Sequence, residues 1–168
     1  ILSGLVGSEM CIRDRRCGFK CEKPEDVAEI ESKALAGGYE VKRMSKGENA
    51  EVGDGITVTM PSGHIIDFYS EMSSWGTEVG THNPEAFPRH LVGIGAPRLD
   101  HALLWVPNVA ETKQFFIDCT GMFATEEVRT SLDDDAHVIA TWLSVGVLNH
   151  DIAPVSYTHL TLPTILLV

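Results

Sequence analysis

The sequence predicts an α+β fold in which a β-α-β-β-β unit occurs twice along the chain. One order of strand-like and helix-like segments occurs on both sides of a polar, proline-containing stretch at residues 72–97. Each helix-like segment carries an apolar side with helical spacing. The strand-like runs are rich in β-branched and aromatic residues and are separated by turn residues. Two units of one pattern usually stack to share a core, so we expect a structural repeat.

The first unit begins with a short apolar strand, followed by a helix that opens at Pro24, since proline is favoured in the first helical turn. Apolar residues at i, i+3, i+7 and i+8 from Val27 give this helix one apolar stripe, which includes Leu35. Gly37 and Gly38 are placed to end it. Three strands follow, the last after a Pro-Ser-Gly turn. The predicted strands lie at residues 18–21, 39–44, 56–60 and 65–69.

The second unit repeats this order after the polar stretch. Asn108 is predicted to start its helix, because Glu111 follows three residues later in a capping-box arrangement. Gly121 is placed to end the helix, and an acidic turn at residues 133–135 separates two of the strands that follow. The predicted buried side of this helix comprises Val109, Phe115, Phe116 and Cys119. The predicted strands lie at residues 99–106, 122–129 and 136–145, with a last one starting near Asn149.

Composition excludes some classes of partner. Thirteen Lys and Arg against 24 Asp and Glu give a formal net charge of −11, which repels phosphate backbones, so we expect no nucleic-acid partner. The apolar end of the chain is shorter than the ~20 residues that span a bilayer, so we expect no membrane partner. The four cysteines show no disulfide framework, which favours a reducing cytoplasm. Cys17 and Cys21 lack the second ligand pair of a zinc site.

The two ends of the chain do not continue the pattern beside them. Residues 1–15 place their charges after a short apolar start, the reverse of a secretory signal. Residues 156–168 read SYTHLTLPTILLV. Both resemble translated sequencing-adaptor read-through, and the alternative is a pair of genuine but irregular termini. We therefore base the fold prediction on the residues between them.

Several motifs in the remaining sequence occur together. They are PSGH at 61–64 with DFY at 67–69, NPEAFPR at 83–89, LDHAL at 99–103 and NHDIA at 149–153. In order and spacing they resemble the extradiol dioxygenases, catechol 2,3-dioxygenase type, of the vicinal oxygen chelate superfamily, which also includes glyoxalases and bleomycin-resistance proteins. The resemblance implies the vicinal oxygen chelate fold, in which each of two domains consists of two βαβββ modules and the C-terminal domain holds iron.

The resemblance also implies a domain organisation in which the chain is a fragment that is inactive alone. The full-length form is expected to be a homo-oligomer that acts on a small catechol and O2. The implied segments are non-native termini at 1–15 and 156–168, the second module of the metal-free N-terminal domain at 16–71, a linker at 72–97, and a truncated first module of the catalytic domain at 98–155.

Three residues carry the implied chemistry, extradiol (meta) cleavage at a non-heme Fe(II). By resemblance, His101 is the first histidine of a 2-His-1-carboxylate triad, and the other two ligands fall beyond residue 155. His150 corresponds to an acid–base histidine, for which an imidazole suits because its unperturbed pKa lies near 6.5. Trp142 corresponds to an aromatic wall of the substrate pocket. From spacing alone, the alternatives are a core histidine for His101, a surface histidine for His150 and a core tryptophan for Trp142. Strand alternation places His101 and Leu103 on one face, which the resemblance makes the interior of a barrel.

Other readings of the same residues remain open. Asp67 lies late in its module, where the other domain of the family has its carboxylate ligand, but a strand residue explains it equally well. The remaining histidines at 64, 82, 90 and 137 are expected to be solvated or structural, and His159 lies in the irregular tail. Alternative functions are a glyoxalase-type lyase or epimerase, with His101 and Asp67 as the candidate ligand pair, and a non-enzymatic drug-binding module of the same superfamily.

Overall fold

The computed structural model describes residues 15–73, 101–133 and 136–156. The chain divides into two compact units, and each contains one helix and one four-stranded mixed sheet. The prediction of an α+β fold with a repeated β-α-β-β-β order is confirmed. Neither of the helices in these ranges is long and apolar enough to cross a membrane.

The first unit runs in the order β1 (Arg16–Lys20), α1 (Pro24–Ala36), β2 (Glu40–Met44), β3 (Gly55–Thr59) and β4 (Ile65–Tyr69). Its strands lie in the order β1-β4-β3-β2, with β1 parallel to β4 and the other pairs antiparallel. Pro24 begins α1 as predicted, and Gly38, with a φ of 77°, follows its end.

One face of this sheet packs against α1. The buried side of the helix comprises Val27, Ile30 and Ala34, whereas Leu35 is 57% exposed. The stripe prediction is therefore wrong for Leu35, which lies in the last turn of the helix. Phe19 of β1 stacks on Phe68 of β4 with 5.8 Å between the ring centroids. Parallel pairing of β1 with β4 places these two rings side by side, so the core extends across both strands.

The second unit runs in the order β5 (Ala102–Val106), α2 (Val109–Thr120), β6 (Phe123–Arg129), β7 (Val138–Ser144) and β8 (Ile152–Ser156). Its strands lie in the order β5-β8-β7-β6, again with one parallel pair, β5 and β8. The unit has all five elements of the predicted order. Strand β8 starts at Ile152 and extends through Ser156, and it pairs with β5 along its whole length.

The predicted ends of helix α2 are confirmed. The Asn108 side chain accepts a hydrogen bond of 3.1 Å from the backbone N–H of Glu111, and Gly121 adopts a left-handed conformation with φ of 73°. Every residue of the predicted apolar side is buried, together with Thr112. The helix packs against β7 and β8, so it covers one face of the sheet.

Candidate active site

The two predicted site histidines lie at corresponding ends of neighbouring strands. His101 directly precedes β5, and His150 lies two residues before β8. Because β5 and β8 are parallel and Ala102 is in register with Ile152, both strands begin at the same edge of the sheet. The structure therefore brings together two residues that are 49 positions apart in the sequence.

The imidazole rings of His101 and His150 have a centroid separation of 4.3 Å and an interplanar angle of 57°. Trp142, on the neighbouring strand β7, lies with its ring centroid 6.3 Å from that of His150, at 77°. This edge-on arrangement is one that aromatic rings prefer. All three residues of the predicted site thus form one aromatic cluster within the second unit.

The cluster is open to solvent. The His101 side chain is exposed, and His150 and Trp142 are half-buried. Leu103, two residues after His101, is 47% exposed, whereas Leu104 and Val106 are buried. Strand alternation therefore places His101 and Leu103 on the accessible face of β5. The exposure of both residues agrees with the predicted shared face, and α2 packs on the opposite face of the sheet.

Sequence reasoning assigned no role to Asp151, which connects the backbones that carry the two histidines. Its backbone N–H donates to the carbonyl of Leu143 at 2.8 Å, and its carbonyl accepts from Ala102 at 3.1 Å. Its carboxylate accepts from the backbone N–H of Val145 at 3.0 Å. The signal was present in the NHDIA motif, because an aspartate at a strand entry commonly hydrogen-bonds to nearby backbone.

Ser144 was likewise missed. It is fully buried at the end of β7, and its hydroxyl lies 2.8 Å from the carbonyl oxygen of Leu148 and 3.3 Å from the Asp151 carboxylate. It also accepts a hydrogen bond of 3.2 Å from the backbone N–H of Gly146. Ser144 and Asp151 therefore bind the turn between β7 and β8 from both sides, and His150 lies on that turn.

His101 is the predicted metal ligand among the described residues. Within the described ranges no group of three or more His, Cys, Asp or Glu side chains is placed to hold a metal ion. An exposed imidazole on an accessible face suits one position of a three-donor set, and a single imidazole does not hold a divalent ion firmly. The described part of the chain therefore does not by itself supply a three-donor metal site.

Asp67 has a structural role in the first unit. Its side chain is 6% exposed, and its carboxylate accepts 2.6 Å and 3.0 Å hydrogen bonds from the Arg16 guanidinium. Further bonds come from Asn49 at 2.9 Å and Thr57 at 2.8 Å. The hydrogen bond to the Asp67 carboxylate raises the pKa of Arg16. With four donors already bound to the carboxylate, the alternative pairing of Asp67 with His101 as metal ligands is not supported.

The other titratable residues differ in their environments. His64 is buried, which lowers its pKa, and nearby Arg15 lowers it further. Burial raises the pKa of the Cys17 thiol to about 12, and Asp67 adds to the effect. His137 is exposed, as expected. The NPEAFPR motif and the histidines at 82, 90 and 159 lie outside the described residues.

Comparison with known proteins identifies relatives of this chain. Residues 17–73 match the model of the catechol 2,3-dioxygenase-like N-terminal domain family. A metapyrocatechase from Pseudomonas sp. (strain CF600) is 32% identical over 139 residues, which cover 81% of this chain and 44% of that protein. A manganese-dependent 2,3-dihydroxybiphenyl 1,2-dioxygenase from Geobacillus genomosp. 3 is 28% identical over 136 residues, which cover 80% of this chain and 42% of that protein.

Solved structures show the same relationship. The 2,3-dioxygenase LapB from Pseudomonas sp. KL28 superposes with a TM-score of 0.71 and 33% identity, covering 85% of this chain and 49% of that one. The chain thus spans under half the length of the curated relatives it matches. The resemblance predicted from the four motifs is confirmed.

Proposed function

We propose that this chain, which is of the catechol 2,3-dioxygenase type in sequence and fold, is part of an extradiol dioxygenase that opens catechols with O2 at a non-heme Fe(II). The observation that carries the proposal is the pair of imidazoles, 4.3 Å apart between centroids, at the common edge of β5 and β8. We assign the first unit to the metal-free N-terminal domain and the second to the catalytic domain. The match of residues 17–73 to an N-terminal-domain family supports this assignment.

His101 is the proposed metal ligand of the catalytic domain. His101 is exposed at the start of β5, on the open face of the sheet. Two further donors are required from outside the described residues. A ferrous ion bound there would supply a chelating centre for the two hydroxyl oxygens of the diol. We assign proton transfer to His150, because a second-sphere base lies beside the metal ligand and does not itself bind the metal.

His150 is the proposed acid–base residue. Cleavage breaks the ring carbon–carbon bond beside the diol and places both atoms of O2 in the product, and the diol must lose protons on the way. A ring nitrogen of His150 can accept a hydroxyl proton and later return it, because the half-buried ring is both close to His101 and reachable from the open face. Because His150 lies next to the proposed metal ligand His101, a diol bound at the metal would be close to its proton acceptor.

Trp142 is the proposed aromatic wall of the substrate pocket. Its ring lies 6.3 Å from that of His150 at 77° and the residue is half-buried, so it can line a pocket beside His150. The free thiols of Cys17, Cys21 and Cys119 are compatible with a reducing cytoplasm, where we place the protein.

The proposal is tested with the protein encoded by the uninterrupted reading frame that contains this sequence. Metal analysis after anaerobic purification should find iron, and catechol with O2 should give a yellow ring-opened product. His101→Ala should remove both the metal and the activity. His150→Asn should retain the metal and lower kcat by roughly 10²–10⁴-fold, the usual contribution of a general acid–base group.

His137→Gln is the matched control, because His137 is an exposed histidine of the same unit outside the cluster. It should leave metal content and kcat unchanged. Absence of bound metal in the parent protein would refute the proposal as a whole. Stoichiometric manganese in place of iron would refute the Fe(II) assignment while leaving the extradiol reaction in place. Full activity in His150→Asn would refute the acid–base role.

A further inference from the structure

The β7–β8 turn, residues 145–151, presents His150 and contains no regular secondary structure. A loop of this kind does not hold a side chain to a fraction of an ångström without specific contacts, and acid–base chemistry requires that precision. The contacts that order it therefore decide how well His150 can act.

Asp151 supplies the contacts nearest to His150. Its carboxylate accepts from the backbone N–H of Val145 at 3.0 Å, which joins the two ends of the turn. Its own backbone N–H and carbonyl join β7 at Leu143 and β5 at Ala102. Ala102 and Asp151 directly follow His101 and His150 in sequence. One residue thus fixes the backbone beside both histidines.

The carboxylate matters beyond the backbone bonds. The Val145 amide has no partner within a regular strand, since β7 ends at Ser144. A charged acceptor at this position forms a stronger hydrogen bond than a neutral one. Ser144 packs beside it, with its hydroxyl 3.3 Å from the same carboxylate oxygen, and binds the turn at Leu148. Loss of the carboxylate is therefore expected to open the turn at one end and to leave the backbone hydrogen bonds of the sheet in place.

We propose that Asp151 is a positioning residue that holds His150 against His101 by closing the β7–β8 turn through its side chain. The inference rests on the proposed acid–base role of His150 for its effect on catalysis. The structural part, that the side chain of Asp151 sets the separation of the two imidazoles, stands independently of any activity.

The structural part is tested on the 168-residue chain with selectively labelled histidine and tryptophan. Nuclear Overhauser contacts are expected between the ring protons of His101 and His150 and between His150 and Trp142, because their ring centroids lie 4.3 Å and 6.3 Å apart. Asp151→Ala should abolish both contacts. Asp151→Asn retains an oxygen that accepts from Val145 and should retain them. Unchanged contacts in Asp151→Ala would overturn the proposal.

The catalytic part is tested in the protein from the uninterrupted reading frame. Asp151→Ala should lower kcat roughly 10- to 100-fold, the usual effect of removing an outer-shell partner, with metal content unchanged. Asp151→Asn should retain most of the kcat of the parent protein. In an H150N background, D151A should lower kcat no further, because Asp151 acts through His150.

Asp118→Ala is the matched control. This exposed carboxylate of α2 bonds to Gln114, so its loss should change neither the ring contacts nor kcat. Losses for D151A and H150N that multiply in the double variant would overturn the positioning role, since a residue acting separately would give that result. If the protein shows no ring cleavage, the proposed function fails, and the ring contacts still decide the role of Asp151. If the D151A chain does not fold, the D151N chain provides the test. Loss of the ring contacts in a folded D151N chain would contradict the geometric role.

Discussion

Replacement of Asp67 by asparagine should destabilise the first unit substantially. The carboxylate is almost fully buried and accepts two hydrogen bonds from Arg16, one from Asn49 and one from Thr57. An amide of the same shape has one acceptor oxygen and one NH2 group. Either orientation of the side-chain amide places its NH2 group against hydrogen-bond donors. About half of the hydrogen bonds to this side chain are therefore lost, and donors face donors.

The magnitude follows from these contacts. Hydrogen bonds to charged groups contribute about 1.5–3 kcal/mol each, and removal of one partner from a buried pair costs about 3–5 kcal/mol. The Arg16 side chain is 45% exposed, so water can replace part of the lost interaction. We therefore expect a loss of about 2–4 kcal/mol for Asp67→Asn. Thr57→Val removes one neutral donor and should cost about 1 kcal/mol.

Native-state hydrogen exchange measures this change within the unit. The amides of β4 exchange through opening of the sheet, so a loss of about 2–4 kcal/mol accelerates them roughly 30- to 700-fold. The amides of β7, in the other unit, provide an internal reference. Glu29→Gln is the matched surface control, since Glu29 is 64% exposed and its ion pair with Lys33 contributes little. Acceleration of the β4 amides by less than about threefold in Asp67→Asn would refute this account of the buried carboxylate.

Three further predictions concern single residues. Burial lowers the folded-state pKa of His64 below its unfolded value near 6.5, so the unfolded chain binds the proton more readily and stability should fall as the pH drops through about 6.5. His64→Gln should flatten that dependence in hydrogen exchange measured between about pH 7.5 and 5.5, and equal slopes for both chains would contradict it. A pKa of about 12 keeps Cys17 as a thiol at neutral pH, so peptide mapping should find it alkylated far more slowly by iodoacetamide in the native chain than in urea, and equal rates would count against burial as the cause. Phe123 and Leu103 are 49% and 47% exposed, so the 168-residue polypeptide should self-associate in sedimentation velocity, and Phe123→Ser should shift it towards monomer; a parent chain that is monomeric at all concentrations would contradict this.

Local signals were sufficient for most of the secondary structure. Pro24 and Gly121 mark helix boundaries because the chemistry of a helix end depends on a few adjacent residues, and both boundaries are confirmed. Strand starts were less accurate. The last strand begins at Ile152 and not near Asn149, because the side chains of Asp151 and Ser144 hold the preceding residues in a turn.

The candidate site depended on both levels. The resemblance of the motifs was enough to single out His101, His150 and Trp142, since residue types and their order are properties of the sequence itself. Their closeness, with ring centroids 4.3 Å and 6.3 Å apart, arises from the parallel pairing of β5 with β8 and the position of β7 beside it. No local pattern encodes such pairing between distant segments, because it depends on which strands hydrogen-bond in the folded sheet.

The amino-acid sequence by itself determined the helix boundaries, the repeated order of elements and the relationship to catechol 2,3-dioxygenases. Tertiary structure alone decided that Asp67 is bound by four donors, that the face carrying His101 is accessible, and that Asp151 joins the backbones beside both histidines. The physical reason is the distance along the sequence over which each interaction acts. Capping and periodicity act over a few residues, whereas the surroundings of a side chain are set by strands that meet only when the sheet forms.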